Sequence, residues 1–475
     1  MKAILVGNGI NIQFGGKAYS SEFIMKRIKY KATLGYYGTL FDGALNGSEI
    51  NQILNSFVNI TNDILDNKYD NYVKDNKSLI LALNNFKKRY KKINAPHELM
   101  LEDWFFVLHM FFLKNNDIFK NLTASKQGFE RLILDGIYND GKVQNIYKNI
   151  PQKIKKFFSS FDKIFTLNYD NNLEKLTGKN VYHLHGDFSV LQNSENAENV
   201  LGFIRERKNN RVLINGMEHC FCNALLNYSG YQKLKEATTN HNLLIESENF
   251  KWRYYNDENF KADLLKIKYE KPFEYEIIMT KINHPNLKIA TEYYFHEFEN
   301  IKDELYIIGM SPNNDNHILN CINKNTKLNK VYFYYYSDLE RKLIDEMLPK
   351  KFYTPKNVND LWKLLKCTKK KYNVNHHFPN KIDEFIYTFN ILSGDTASKK
   401  DIFHNIKNIP DFEAMRLCEL VKENLKKRNP ENKSTDKDEF IKTATSISYI
   451  ALSEGVLPSS LYMLYIIYSD RIKNV

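Results

Sequence analysis

Five cysteines in 475 residues, at positions 220, 222, 321, 367 and 418, leave this chain without a C-x-x-C pair. Neither a zinc ribbon nor a disulfide framework is therefore written in it. Cys220-Phe221-Cys222 is too tightly spaced for a metal knuckle, and the two are expected as reduced thiols near a helix start. No apolar run approaches the roughly 20 residues that cross a bilayer, so no membrane span is expected. The chain opens directly on a strand-like segment, Lys2-Ala3-Ile4-Leu5-Val6, which leaves no place for a signal peptide and predicts a soluble, cytoplasmic protein. Internal repeats and long low-complexity tracts are missing too. Although the formal net charge is +12, the basic residues form no block on any one helix. They are scattered among asparagines and isoleucines, which predicts a basic solvated surface and no direct nucleic-acid binding. No cluster of acids marks a nuclease metal site, and no metal is expected.

What is present suits folded, layered domains. Hydrophobic residues make up 43% of the chain and aromatics 14%, enough for buried cores in two or three domains. After the first strand and Gly7-Asn8-Gly9, a helix is expected from about Ser20 to Tyr30. From about 49 to 160 apolar residues recur at spacings of three and four, as in Ile50, Ile53, Leu54, Phe57, Val58 and Ile60. That block predicts a helical insertion. Strand character returns at Lys163-Ile164-Phe165-Thr166-Leu167, at Val181-Tyr182-His183-Leu184-His185, at Leu305-Tyr306-Ile307-Ile308 and from Val331 to Tyr336. Strands alternating with helices predict an α/β fold, a Rossmann-like doubly wound parallel sheet. Thr368 to Lys381 looks like a polar linker, and 382–475 is expected to be a C-terminal helical domain. The expected division is thus a domain of residues 1–367 and a second of 382–475.

Four strand ends carry candidate chemistry, where ligands of such sheets bind. Gly7-Asn8-Gly9 permits a tight turn and close approach to a pyrophosphate, although Ile12 takes the place of a third fingerprint glycine. No second strand ends in the acid that a dehydrogenase uses to hold ribose. Thr166-Leu167-Asn168-Tyr169-Asp170 places an amide and a carboxylate at the second strand end, where either Asn168 or Asp170 could instead cap the following helix. In a strand, His183 and His185 would face the same way, and His185 before Gly186 is placed as a general base. Asp187 either orients an imidazole or turns the chain. Gly309-Met310-Ser311 suits a ribose or phosphate contact, with Asp315 and His317 opening the next helix, where Asp315 is equally an ordinary first-turn acid.

Taken in order, these four segments resemble the sirtuin motifs. Gly7-Asn8-Gly9-Ile10-Asn11 resembles the family's Gly-Ala-Gly-Ile-Ser, and Thr166-Leu167-Asn168-Tyr169-Asp170 its Thr-Gln-Asn-Ile-Asp. His185-Gly186 resembles its His-Gly, and Gly309-Met310-Ser311 its Gly-Thr-Ser. The likeness covers about residues 1–365 thinly, and the interval 190–300 has no counterpart. Only Cys220 and Cys222 stand where deacylating sirtuins carry a four-cysteine zinc module, which argues against a deacylase. The helical insertion is similar to that of the sirtuin-like NADases of bacterial antiphage defence, a group that includes the Thoeris effector, the defence-associated sirtuins and partners of short Argonautes or ring ATPases. The Gly-Asn-Gly opening is also similar to the abortive-infection H family.

The resemblance implies cleavage of the nicotinamide–ribose bond of NAD+, with NAD+ as substrate rather than resident cofactor. It implies that Asn168 holds the nicotinamide ribose and a water, that His185 is the base, and that Asp170 positions the nicotinamide end. Gly7, Asn8, Gly9 and Asn11 would hold the pyrophosphate, and Gly309 and Ser311 the adenosine ribose, with Asp315 beside them. Departure of nicotinamide leaves an oxocarbenium-like ribose, so positioning and electrostatics carry the rate. It further implies an effector that depletes NAD+ in abortive infection, a homo-oligomer, and a defence-system partner such as an ATPase, an Argonaute or a phage-derived trigger. The competing reading is a binding module that holds NAD or ADP-ribose as a sensor or assembly subunit without turnover. A zinc-free deacylase or an ADP-ribosyltransferase is a further alternative within the enzyme class.

Overall fold

In the computed structural model the described residues are 1–367, apart from 34, 42, 75, 116–121, 189–215, 227–229, 314 and 349–351. The expected C-terminal helical domain of 382–475 and its linker lie outside them. The described chain falls into two compact units. One comprises residues 1–14, 101–105 and 138–367; the other comprises 15–100 and 106–137.

The first unit is built on six parallel strands: β1 (Lys2–Val6), β2 (Lys163–Thr166), β3 (Val181–His183), β4 (Asp303–Ile308), β5 (Leu328–Tyr335) and β6 (Tyr353–Asn357). Their order in the sheet is β3-β2-β1-β4-β5-β6. This is the α/β, Rossmann-like architecture, with its switch point between β1 and β4. Alternate residues supply two separate cores, as expected of a sheet covered on both faces. Leu5, Phe165, Leu305, Ile307, Val331 and Phe333 pack with Phe298, Ile318 and Leu319 on one face. Ile4, Val6, Ile164 and Ile308 pack with Ile154, Phe158, Leu361 and Trp362 on the other.

Two strands depart from expectation. β6 carries Pro355 and polar neighbours, so its sequence gives no strand signal; as an edge strand paired only with β5 it tolerates proline. β3 ends at His183 rather than His185, because the chain turns at Leu184-His185 and enters Gly186 at φ 80°.

The second unit is helical among its described residues. Helix Gly47–Leu65 starts from a capping box in which Asn46 and Glu49 satisfy each other's backbone amides. It buries Ile50, Ile53, Leu54, Phe57, Ile60 and Ile64, the spacing of three and four that predicted it. The helix expected from Ser20 to Tyr30 is found at Ser21–Thr33. Within this unit the buried pair Lys31–Asp135, at 3.0 Å, is joined by the Tyr37 hydroxyl, which donates to Asp135 at 2.7 Å.

Among the described residues no helix is long and apolar enough to cross a membrane. None of the four described cysteines is in a disulfide.

Candidate functional site

The carboxyl ends of β1 and β4 meet through glycine. The Gly7 amide donates to Ile308 O at 2.9 Å and the Gly9 amide to Gly309 O at 2.9 Å. A Cβ on Gly7 would stand 2.5 Å from Gly309 O, and one on Gly9 2.6 Å from Gly309 Cα. Gly309 adopts φ 72°, in the left-handed region that favours glycine. Backbone packing at the switch point is therefore sufficient reason for all three glycines. Between them Asn8 is exposed, while Ser311 is half-buried after β4.

Asn168 and Asp170 follow β2 and are buried. The Asn168 amide nitrogen donates to Gly7 O at 3.4 Å, and its backbone N–H to Thr166 Oγ1 at 3.1 Å. Asp170 is tied inside the protein: Oδ2 accepts from Asn11 Nδ2 at 2.6 Å, and Oδ1 from the Asn172 backbone at 3.1 Å and side chain at 2.5 Å. The helix Asn172–Thr177 has Asn171 as its cap residue with no side-chain cap bond, so Asp170, bonded to the first helical amide, does part of that work. Burial raises the Asp170 pKa, and its three hydrogen bonds oppose the rise. Asn11, expected at a pyrophosphate, has its amide engaged by Asp170 instead.

The two histidines of the His-Leu-His-Gly segment part company, since the strand ends between them. His183 bonds Asn168 O through Nδ1 at 2.9 Å and Glu174 through Nε2 at 2.5 Å. Burial works against its charged form, but the hydrogen bond and charge of Glu174 outweigh it and the pKa is raised. His185 instead turns to the loop after β4. Its Nε2 lies 3.0 Å from His317 Nε2, with the rings stacked, and 4.0 Å from Asp315 Oδ1. Gly186 is required because a Cβ there would overlap Asn223 O, whose segment also receives a hydrogen bond from the Tyr293 hydroxyl at 2.9 Å. Asp187 meets the same segment, its amide donating to Asn223 Oδ1 at 2.7 Å.

Two charged residues that carried no sequence signal complete the cluster. Lys233, in helix Tyr231–Glu248, is 1% exposed. Its ammonium donates to Glu102 at 2.9 Å and lies 3.4 Å from His185 Nδ1. Burial, then the Lys233 charge, then His317 hold the His185 pKa well below its usual value. Burial and Lys233 bring His317 down to about 3. Burial, reinforced by Glu102 and opposed by Lys233, lifts Asp315 to about 7. Asp315 is the cap residue of helix Asn316–Lys324 and makes no side-chain cap bond.

The ligand atoms of His185, Asp315 and His317 lie within 4.8 Å of one another, close enough to share a metal ion. The positive charge of Lys233 behind His185 weighs against a second cation and favours a proton between the rings. A separate cleft of about 370 Å³, lined by Tyr138, Phe188 and His219 among others, includes none of these residues.

The sheet thus brings Gly7, Gly9, Asn168 and Gly309 to strand ends along one edge, with Asp170 and His185 in the turns beyond β2 and β3 and Asp315 at the start of the helix after β4. Chemically, the arrangement offers a glycine-lined edge, an amide and a buried cluster able to hold a proton. Comparison with protein-family models, with curated proteins and with solved structures finds no match.

Proposed function

We propose that this chain is an NAD+ glycohydrolase, which cleaves the nicotinamide–ribose bond to give nicotinamide and ADP-ribose. The observation that carries the reading is the convergence of Asn168 and the His185 cluster on the carboxyl edge of a sheet with the 3-2-1-4-5-6 strand order. In that order dinucleotides bind at the crevice between the first and fourth strands. Here the ends of those two strands are followed by Gly7, Asn8 and Gly9 on one side and by Gly309 and Ser311 on the other. Of the buried cluster, the Asp315 carboxylate is the group whose negative charge would stabilise an oxocarbenium-like ribose.

Support for the sirtuin-like family, for an antiphage effector acting in the cytoplasm, and for a homo-oligomer with a defence-system partner comes from the sequence resemblance alone. The test is incubation of the purified full-length protein with NAD+ and chromatography of the products. Equimolar nicotinamide and ADP-ribose are expected. NAD+ that binds and is recovered intact would instead favour the sensor reading.

A further inference from the structure

An ammonium group has hydrogens to donate and no lone pair to accept with. Lys233, anchored on Glu102, lies 3.4 Å from His185 Nδ1, which makes that nitrogen the acceptor. A neutral imidazole has one acceptor and one N–H, so the His185 proton sits on Nε2. That N–H has His317 Nε2 before it at 3.0 Å, and His317 must then accept and carry its own proton on Nδ1. Nδ1 of His317 is buried without a hydrogen-bond partner. Both nitrogens of His185 are therefore engaged, and neither offers a lone pair to a substrate.

The carboxylate of Asp315 is placed differently. It is buried, it accepts no hydrogen bond from the described residues, and its Oδ1 lies 4.0 Å from His185 Nε2. A carboxylate without donors, in a buried setting that favours its neutral acid, is a stronger base than an ordinary surface aspartate.

We propose that Lys233 is a positioning residue that holds His185 as a hydrogen-bond donor protonated on Nε2, and that Asp315 takes the proton in the reaction. The second half rests on the NAD+ cleavage proposed above. The C–N bond breaks with its electron pair passing to the nicotinamide nitrogen, which leaves neutral. The water oxygen bonds to the ribose carbon, its proton passes to the Asp315 carboxylate, and that proton later goes to solvent. This departs from the sequence expectation, in which His185 was the base.

The lysine half is tested without turnover, by long-range proton–nitrogen correlation on full-length protein carrying 15N-histidine, with H185Q identifying the His185 signals. The wild type is expected to show the Nε2-protonated tautomer, retained in K233R and lost to the Nδ1-protonated form in K233M. The double variant K233M/E102Q, in which Glu102 is not left as a carboxylate without its lysine, is expected to show the same change and guards against misfolding of K233M. An Nδ1-protonated His185 in the wild type, or an unchanged tautomer in folded K233M/E102Q, overturns this half. So does one equivalent of Zn2+ that shifts the Nε2 signals of both His185 and His317, because the cluster would then be a metal site.

For the aspartate half, D315N is expected to lower kcat for NAD+ by about 100-fold or more, within the range of general-base removal. NAD+ binding is expected to remain, and the ascending limb of the pH–rate profile to disappear. Wild-type kcat in D315N overturns the aspartate half alone. Absence of NAD+ turnover in the wild type removes it together with the NAD reading, and the tautomer result still decides the lysine half.

Discussion

A side chain on Gly7 would stand 2.5 Å from the carbonyl oxygen of Gly309, so the ends of β1 and β4 approach as closely as they do only because neither residue has a Cβ. Gly309 is further fixed by its φ of 72°. G309A should destabilise the fold by about 1–3 kcal/mol, from the left-handed backbone and the crowding against Gly7 O. Urea unfolding should show a lower midpoint with an unchanged slope. An unaltered midpoint would mean that the two strand ends separate freely, contrary to the packing described.

Asp315 gives a pH signature. Its folded pKa, raised by burial to about 7, lies above the ordinary carboxyl value of 3.8. A raised carboxyl pKa means that the native state binds the proton more tightly than the unfolded chain. The associated stability is present below about pH 4 and is lost as pH rises towards 7. D315N carries no such titration, so relative to the wild type it should gain stability, on the order of a few kcal/mol, between pH 4 and pH 8. Denaturation midpoints of the two proteins that run parallel across this range would show that Asp315 titrates normally.

His183 has the opposite partner relationship. Its pKa is raised, with burial opposed and outweighed by the bond to Glu174. Stability from this pair is full below the ordinary histidine pKa and fades as pH rises through the folded value. E174Q should therefore lower the His183 pKa, followed by proton NMR of the ring. It should also destabilise the protein by about 1 kcal/mol at pH 6 and by less at pH 9. An equal loss at both pH values would mean that Glu174 acts through packing rather than charge.

The sheet was largely legible because buried parallel strands show as short apolar runs ending in turn residues, as at Lys2-Ala3-Ile4-Leu5-Val6 and Leu305-Tyr306-Ile307-Ile308. β6 was not, since Pro355 and Lys356 look like loop until β5 supplies a partner. The helix Gly47–Leu65 could be read from its apolar spacing and its Asn46 cap. Most candidate site residues were visible as polar groups at strand ends. What each one touches was not visible. Period-two alternation put His183 and His185 on one face, and a strand ending at His183 sent them into separate networks. Lys233 was hidden for a statistical reason, being one of 68 basic residues. Only burial distinguishes it, and burial of a lysine is decided by a distant carboxylate, Glu102, that no local pattern announces.

The central claim is that Asn168 and His185 belong to one NAD-cleaving site. The most direct measurement is the rate of nicotinamide release from NAD+ by the wild type, N168A and H185A, each first shown to be folded by circular dichroism. The account predicts turnover by the wild type, a loss of about 100-fold or more in N168A, and a smaller loss of about 10-fold in H185A, which opens the buried cluster around Asp315 without removing the base. Release at the wild-type rate by either folded variant, or NAD+ left intact by all three, would contradict it.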